Sequence, residues 1–235
     1  MNIIITGASR GIGYELVKLF AENADYTIIA LSRDSQKLNQ LQKECQESFP
    51  LSNVIPIPYD LTDKNAKGLT AEITKHCKTI DLLINNAGQI VNKPFINLTL
   101  SDFETVYATN VFGVAKLIQD ILPLMVSPKR GHIVNISSMG GVQGSAKFAG
   151  LAAYSSSKAA VACLTECLAE EFKDRNISFN CLALGAAQTE MLEQAFPGYK
   201  APVSAQQMAE FIGNFAVTAH HFMNGKIVPV SISTP

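Results

Sequence analysis

A tyrosine and a lysine four positions apart are the residues in this sequence whose spacing most directly suggests chemistry. Tyr154 and Lys158 enclose three serines, and in a helix both side chains would leave the same face. A cation beside a phenol favours the phenolate, whereas a free tyrosine with a pKa of about 10 exchanges protons poorly near neutrality. The pair predicts proton transfer at a carbonyl group. A surface tyrosine packed along a lysine stem would show the same spacing, so the pair needs support from elsewhere.

A glycine-rich turn near the N-terminus provides that support. Residues 2–6 are an apolar run typical of a buried strand, Gly7, Gly11 and Gly13 follow, and helical spacing begins after them. Glycines let backbone N–H groups approach a pyrophosphate, and the start of a helix carries partial positive charge. The order of strand, turn and helix predicts a dinucleotide site, although three glycines at a helix start can also be only a tight turn.

Three motifs together resemble those of the short-chain dehydrogenase/reductase family. The run Thr6 to Gly13 matches TGxxxGxG, the run Asn85 to Gly88 matches NNAG, and the run Tyr154 to Lys158 matches YxxxK. The resemblance covers nearly the whole chain. It implies a doubly wound Rossmann-type sheet with strand order 3-2-1-4-5-6-7, and reversible hydride transfer between a nicotinamide cofactor and a carbonyl or secondary alcohol.

The resemblance assigns four catalytic residues. Tyr154 would be the proton donor in reduction and the base in oxidation. Lys158 would hold the nicotinamide ribose and, together with the charge of the oxidised nicotinamide, lower the pKa of the tyrosine. Ser138 would donate to the substrate oxygen, and Asn110 would hold a water that relays protons toward the lysine. Without the resemblance, Ser138 is an ordinary strand-end serine and Asn110 a buried, hydrogen-bonded amide.

The resemblance also implies a set of cofactor contacts. Asp60 would meet the adenine ring, although an Asp at this point can be a plain helix cap. The whole set consists of Gly7, Ser9, Arg10, Gly11, Ile12, Gly13, Ser32, Arg33, Asp60, Leu61, Asn86, Ala87, Gly88, Tyr154, Lys158, Gly185 and Thr189.

Charge at the end of the second strand favours NADP(H). An acid about 20 residues beyond the glycine turn would bond the ribose 2′-hydroxyl of NAD, whereas a 2′-phosphate favours arginine. Ser32 stands where that acid would be, Arg33 follows it, and Arg10 lies inside the turn. The arginines could instead be merely solvated, and Asp34 could be the missing acid.

Periodicity predicts alternating strands and helices, and therefore a parallel sheet covered on both faces. The predicted strands are 2–6, 26–31, 53–57, 80–84, 131–136, 177–183 and 226–230. The predicted helices are 11–23, 35–48, 65–77, 101–126, 154–174 and 204–216. The motif residues fall at the carboxyl ends of the strands, where such sheets bind ligands.

Composition bounds the alternatives. The 235 residues, 47% of them hydrophobic, fit one domain over 1–235. The net charge of −1 and the absence of a basic run argue against nucleic acid and anionic membrane partners. Five cysteines without even pairing or CxxC spacing indicate no disulfide framework and no metal site. We find neither a long apolar stretch nor a signal peptide pattern, and therefore expect a cytoplasmic protein.

Three expectations concern function and assembly. An NADP(H)-dependent oxidoreductase is favoured over a regulatory protein that senses NADPH without turnover. The apolar faces of helices 101–126 and 154–174 predict a homodimer or homotetramer, as is common in the resembled family. The short segment after Thr189, with Phe196, predicts a fairly open cleft for small or medium apolar carbonyl compounds. Alternatively, the 144–150 loop, with Phe148, closes the pocket.

Overall fold

A parallel sheet of seven strands forms the centre of the protein. The computed structural model describes residues 1–63, 68–125 and 131–232. The strands of this sheet are β1 (Asn2–Thr6), β2 (Thr27–Ser32), β3 (Asn53–Pro58), β4 (Leu82–Asn85), β5 (Gly131–Ser138), β6 (Ile177–Leu184) and β9 (Lys226–Val230). Their order is β3-β2-β1-β4-β5-β6-β9, and every neighbouring pair is parallel. The sheet and its order confirm the predicted doubly wound, Rossmann-type fold.

Helices cover both faces of the sheet. They are α1 (Gly11–Ala21), α2 (Ser35–Ser48), α3 (Leu69–Thr74), α4 (Leu100–Tyr107), α5 (Gly113–Ile121), α6 (Ala152–Glu171), α7 (Glu190–Ala195) and α8 (Ala205–Thr218). A two-residue ladder pairs β7 (Ala187–Gln188) with β8 (Val203–Ser204) beside the main sheet.

Alternation along β1 explains the two layers. Ile3 and Ile5 point to the face covered by α1, α2 and α8, while Ile4 points to the face covered by α3, α5 and α6. All three side chains are fully buried. Because successive strand residues face opposite sides, a continuous apolar run is needed to bury a sheet on both faces. The run after Met1 meets this requirement.

The predicted helix 101–126 is wrong as one continuous element. A π turn over Ala108–Phe112 separates α4 from α5, and a 3₁₀ turn over Leu122–Leu124 follows α5. At Gly113, just after the π turn, a Cβ atom would lie 2.7 Å from the carbonyl oxygen of Leu61. The extra residue of the π turn lets the helix pass this close neighbour, and it places Asn110 inward.

Other boundaries differ by a few residues. The strand predicted at 80–84 begins at Leu82, and the helix predicted at 154–174 covers 152–171. The described part of the helix predicted at 65–77 is α3; residues 65–67, like residue 126, lie outside the described residues. Within the described ranges, none of the helices combines the length and apolar character needed to cross a bilayer.

Candidate active site

One cleft at the carboxyl edge of the sheet brings together nearly all the predicted site residues. Ser138, Tyr154 and Lys158 line it, and so do all the predicted cofactor contacts except Gly13. Asn110 and Gly13 stand behind the lining. Parallel strands end at the same edge, so loops that are far apart in sequence meet there.

The glycine turn between β1 and α1 is shaped for close approach. Gly7 has φ +69°, and a Cβ atom there would lie 2.9 Å from the Cα of Ala87. At Gly13 a Cβ atom would lie 2.3 Å from the carbonyl oxygen of Gly7, so the first turn of α1 packs directly on the loop. No side chain caps this helix start. Its first N–H groups are therefore available to an anion in the cleft.

Tyr154 lies in the first turn of α6, close to Ser138 at the end of β5. Burial raises the pKa of Tyr154, and the Ser138 side chain lowers it by less. The lowering expected from Lys158 together with the charge of the oxidised nicotinamide stays a prediction. Ser138 also accepts a 3.3 Å hydrogen bond from the backbone N–H of Gly140. The neighbouring Ser137 instead donates to the carbonyl oxygen of Lys158 at 2.7 Å.

Lys158 is almost completely buried, one helical turn beyond Tyr154. Its Nζ donates a 2.7 Å hydrogen bond to the carbonyl oxygen of Ile136 and lies 5.8 Å from the centre of the Tyr154 ring. Burial lowers the pKa of Lys158 to about 8, partly opposed by Cys181 beneath it. The same burial raises the pKa of the Cys181 thiol to about 11.

Asn110 fixes the backbone of Gln89, which follows the NNAG motif. Its Oδ1 accepts from the N–H of Gln89 at 2.7 Å, and its Nδ2 donates to the carbonyl oxygen of Gln89 at 2.9 Å. The same amide nitrogen is 2.9 Å from the hydroxyl of Ser157 on α6. Asn110 therefore connects the π turn, the NNAG segment and the helix that carries Tyr154. Its predicted role in holding a water stays a prediction.

The end of the cleft beside β2 is bordered by serines and arginines. The hydroxyl of Ser32 donates to that of Ser9 at 2.8 Å, and Arg33 lines the cleft beside them. The carboxylate of Asp34 accepts the N–H of Lys37 at 3.0 Å and caps α2. Asp34 is thus committed to the helix, which weighs against its being the missing acid.

The family follows from this arrangement and from comparison with known proteins. A family model described as short chain dehydrogenase matches residues 1–200. The chain belongs to the short chain dehydrogenase family.

Two curated relatives and one solved structure illustrate the similarity. The chain is 31% identical to an NADP-dependent 3-hydroxy acid dehydrogenase of Schizosaccharomyces pombe, over 92% of this chain and 86% of that protein. It is 34% identical to the 3-oxoacyl-[acyl-carrier-protein] reductase FabG of Thermotoga maritima, over 81% and 76%. The Pseudomonas aeruginosa RhlG/NADP complex superposes with a TM-score of 0.85 at 26% identity, covering 98% of this chain and 94% of that one.

Leu184, the last residue of β6, stands where the resemblance to the family would place a proline. Gly185 still has no room for a side chain, since a Cβ atom would lie 2.5 Å from the hydroxyl of Ser231. Thr189 caps α7 by accepting the N–H of Leu192 at 3.2 Å. Its methyl group also packs near Gly11 in the glycine turn. Residues 233–235, at the C-terminus, lie outside the described residues.

The far end of the cleft, beyond Tyr154, is apolar. Phe148 of the 144–150 loop and Phe196 after α7 both line it, and their rings meet edge to face with centroids 6.1 Å apart. The two predicted walls are therefore not alternatives, because both segments contribute to one surface. We call the side chains of Ile90, Phe148, Leu192 and Phe196 the apolar wall.

Several lining residues have no counterpart among the sequence predictions. Gln89 and Ile90 follow NNAG, Met139 follows Ser138, and Glu190 begins α7. Position directly after a motif was the available signal for the first three. Glu190 forms an ion pair with Arg10 across the cleft, with 3.2 Å between nitrogen and oxygen. Nothing local in the sequence indicates that pair.

Proposed function

We propose that this chain is an NADP(H)-dependent oxidoreductase that transfers hydride reversibly between nicotinamide and a carbonyl or secondary alcohol. The observation that carries the proposal is that Tyr154 and Ser138 line one cleft together with the buried Lys158, whose Nζ lies 5.8 Å from the centre of the Tyr154 ring, and that the same cleft begins at the glycine turn. Lys158 and the charge of the oxidised nicotinamide would bring the pKa of Tyr154 down toward neutrality, where a phenol can give a proton to a carbonyl oxygen that gains negative charge.

The residues of the cleft fit the cofactor. The uncapped start of α1 and the glycine turn would hold the pyrophosphate, and Lys158 would bind the nicotinamide ribose. The bound cofactor would supply or accept the hydride. In reduction, Ser138 would orient the substrate oxygen and Tyr154 would give it a proton; in oxidation, Tyr154 would take that proton back.

NADP(H) is the cofactor that the charges favour. Arg33 and Arg10 line the adenosine end, Ser32 occupies the position of the acid, and Asp34 is engaged as a helix cap. Relatives described as NADP-dependent, and solved NADP and NADPH complexes of similar fold, support the same choice. The apolar wall favours small or medium uncharged carbonyl compounds.

A regulatory protein that senses NADPH without turnover is the alternative. Such a protein needs the glycine turn and the arginines but no proton donor. The grouping of Tyr154, Ser138 and Lys158 in one cleft is unnecessary for sensing, and this favours the enzyme.

Oxidation of NADPH against a panel of carbonyl compounds tests the proposal. Tyr154→Phe removes the transferable proton, so turnover should fall by at least about 100-fold, as for general acid–base groups, with NADPH affinity nearly unchanged. Tyr199→Phe removes a hydroxyl from the same cleft and serves as the control, with turnover close to wild type. NADPH binding without turnover on any compound would favour the sensor, and near-normal turnover of Tyr154→Phe would reject the assignment of the donor.

A further inference from the structure

Three segments that lie outside the main sheet build the apolar wall. Ile90 belongs to the segment that follows β4, Phe148 to the loop before α6, and Phe196 to the chain just after α7. Ladder hydrogen bonds of the sheet do not fix any of these segments. Contacts that they make with one another therefore contribute to their relative positions.

Asn92 is the side chain that joins them. Its Nδ2 donates a 2.8 Å hydrogen bond to the carbonyl oxygen of Ala195, the last residue of α7. Carbonyls in the last turn of a helix lack partners within the helix, so this bond also satisfies a group at the end of α7. The next residue, Lys93, donates its backbone N–H to the carbonyl oxygen of Gly150 at 3.1 Å.

The Oδ1 end of the Asn92 amide packs against Gly150. Its φ is +87°, a region that favours glycine, and a Cβ atom would lie 2.0 Å from the Oδ1 of Asn92. The amide thus contacts the 144–150 loop through one end and α7 through the other. The edge-to-face contact of Phe148 with Phe196 lies between the same two segments.

We propose that Asn92 is a positioning residue that sets the shape of the apolar wall and so the substrate selectivity of this cleft. This inference rests on the proposed function, since selectivity has meaning only for an enzyme that turns over carbonyl compounds. Asn92 does not line the cleft, and it acts through Phe148 and Phe196. The Lys93–Asp102 ion pair, at 2.7 Å, holds the Asn92 segment against α4 from the other side.

The first test reads position without requiring activity. Hydrogen exchange is compared for peptides covering 189–199 in wild type, Asn92→Ala and Asn92→Asp. The aspartate keeps the size and the acceptor but lacks the donor, so both variants should exchange about three- to tenfold faster there, as for loss of one net hydrogen bond. Exchange in β1 and β4 should not change. Asn97→Ala, an exposed asparagine of the same segment, is the control. Unchanged exchange at 189–199 in both Asn92 variants overturns the inference.

The second test reads selectivity. For a short and a long aliphatic aldehyde, Asn92→Ala should change the ratio of kcat/KM about three- to tenfold, mainly through KM, while the Kd for NADPH stays at the wild-type value. An equal change for both aldehydes, or a weaker Kd for NADPH, would mean that Asn92 only supports the fold. If wild type turns over no carbonyl compound, the proposed function fails, and the exchange result still decides the positioning role.

A pair of variants checks that Asn92 and Gly150 act at one junction. Gly150→Ala introduces the Cβ that would meet Asn92, so it should speed exchange at 189–199 by itself. In the double variant Asn92→Ala with Gly150→Ala that clash is absent. The increase in exchange should therefore be smaller than the sum of the increases in the two single variants. Fully additive effects would show that the two residues are independent and would contradict the junction.

Discussion

At the scale of single residues, the pKa values of the candidate reacting groups depend on burial as much as on neighbouring charge. Tyr154 and Lys158 were expected to lie together, and the Nζ of Lys158 lies 5.8 Å from the centre of the Tyr154 ring while it donates to the carbonyl of Ile136. Burial raises the pKa of the phenol and lowers that of the ammonium to about 8. Both shifts favour the neutral form, which is what removal of water from a charged group does.

The buried ammonium of Lys158 predicts a stability difference that depends on pH. Its folded pKa of about 8 lies below the ordinary value of 10.5, so between these values the unfolded chain binds more protons. The free energy of unfolding of wild type, relative to Lys158→Met, should therefore rise as pH increases above about 8 and stay level below it. Urea unfolding of both proteins from about pH 6.5 to 9.5 checks this. A difference that falls or stays level across that range contradicts the lowered pKa.

Arg33 should decide between the two nicotinamide cofactors. Loss of a charge-assisted bond to a 2′-phosphate, at about 1.5 to 3 kcal/mol, should weaken NADPH about 10- to 150-fold in Arg33→Ala and leave NADH nearly unaffected. Lys37→Ala removes an exposed cation, four positions further along the chain, that does not line the cleft, and it is the matched control. Kd values for both cofactors by fluorescence titration give the answer. Equal weakening of NADPH and NADH would show that the arginine merely supports the turn.

The types and positions of the site residues could be predicted from sequence, but their states could not. Motif spacing identified Tyr154, Lys158 and the glycine turn because those residues lie within short runs, whereas Ser138 was implied by the resemblance to the family. The direction of the Tyr154 pKa shift depends on how completely the surrounding loops exclude water, and no local pattern records that. The role of Asp34 as the N-cap of α2 could have been predicted from the sequence, since Asp is a common helix cap.

At the scale of elements, α7 connects the glycine turn to the apolar wall of the cleft. Glu190 at its start pairs with Arg10 in the glycine turn, and Ala195 at its end is held by Asn92. The helix is only six residues long, too short to be stable without tertiary contacts. Its position therefore depends on these two ends and on Thr189, which caps it.

Glu190 should weaken NADPH binding by competing for Arg10. Both side chains of the pair are about half exposed, at 43% and 55%, so the pair is screened by water. Glu190→Gln frees the arginine for a phosphate, and NADPH should bind up to about fivefold more tightly, in keeping with an exposed ion pair. Glu193→Gln makes the same change of charge on the same helix and should have little effect. If NADH binding tightened equally, the effect would come from a part common to both cofactors. That result would contradict competition between Glu190 and the 2′-phosphate for Arg10.

Elements with strong local signals matched the sequence, whereas elements fixed by distant contacts did not. The helix at 35–48 was predicted with the bounds of α2, because its polar and apolar residues alternate with clear helical period. The π turn at Asn110 depends on Gln89, 21 positions away, and α7 depends on Asn92, 103 positions before Ala195. Periodicity within a window cannot report such contacts.

At the scale of the whole molecule, the surface retains apolar side chains that the core does not use. Phe112 in the π turn is 63% exposed and Leu100 at the start of α4 is 75% exposed. Phe112 belongs to the 101–126 part of the chain, in which the resemblance predicts a twofold contact, and Leu100 directly precedes that part. Exposed apolar residues grouped on one surface often mark an interface between subunits. In the expected homodimer or homotetramer, a second copy of this chain would cover these residues.

Assembly is tested by sedimentation of the protein at micromolar concentration. Wild type should sediment as a dimer or tetramer of the 25.4 kDa chain. Phe112→Glu would bury a charge in the contact if two copies pair there, so it should shift the protein to the single chain, because an unpaired buried charge is strongly unfavourable. Leu51→Glu, at a position that is 79% exposed between α2 and β3, is the matched control and should leave assembly unchanged. A wild type that sediments only as the single chain contradicts the assembly. An assembled Phe112→Glu would instead place the contact on another surface.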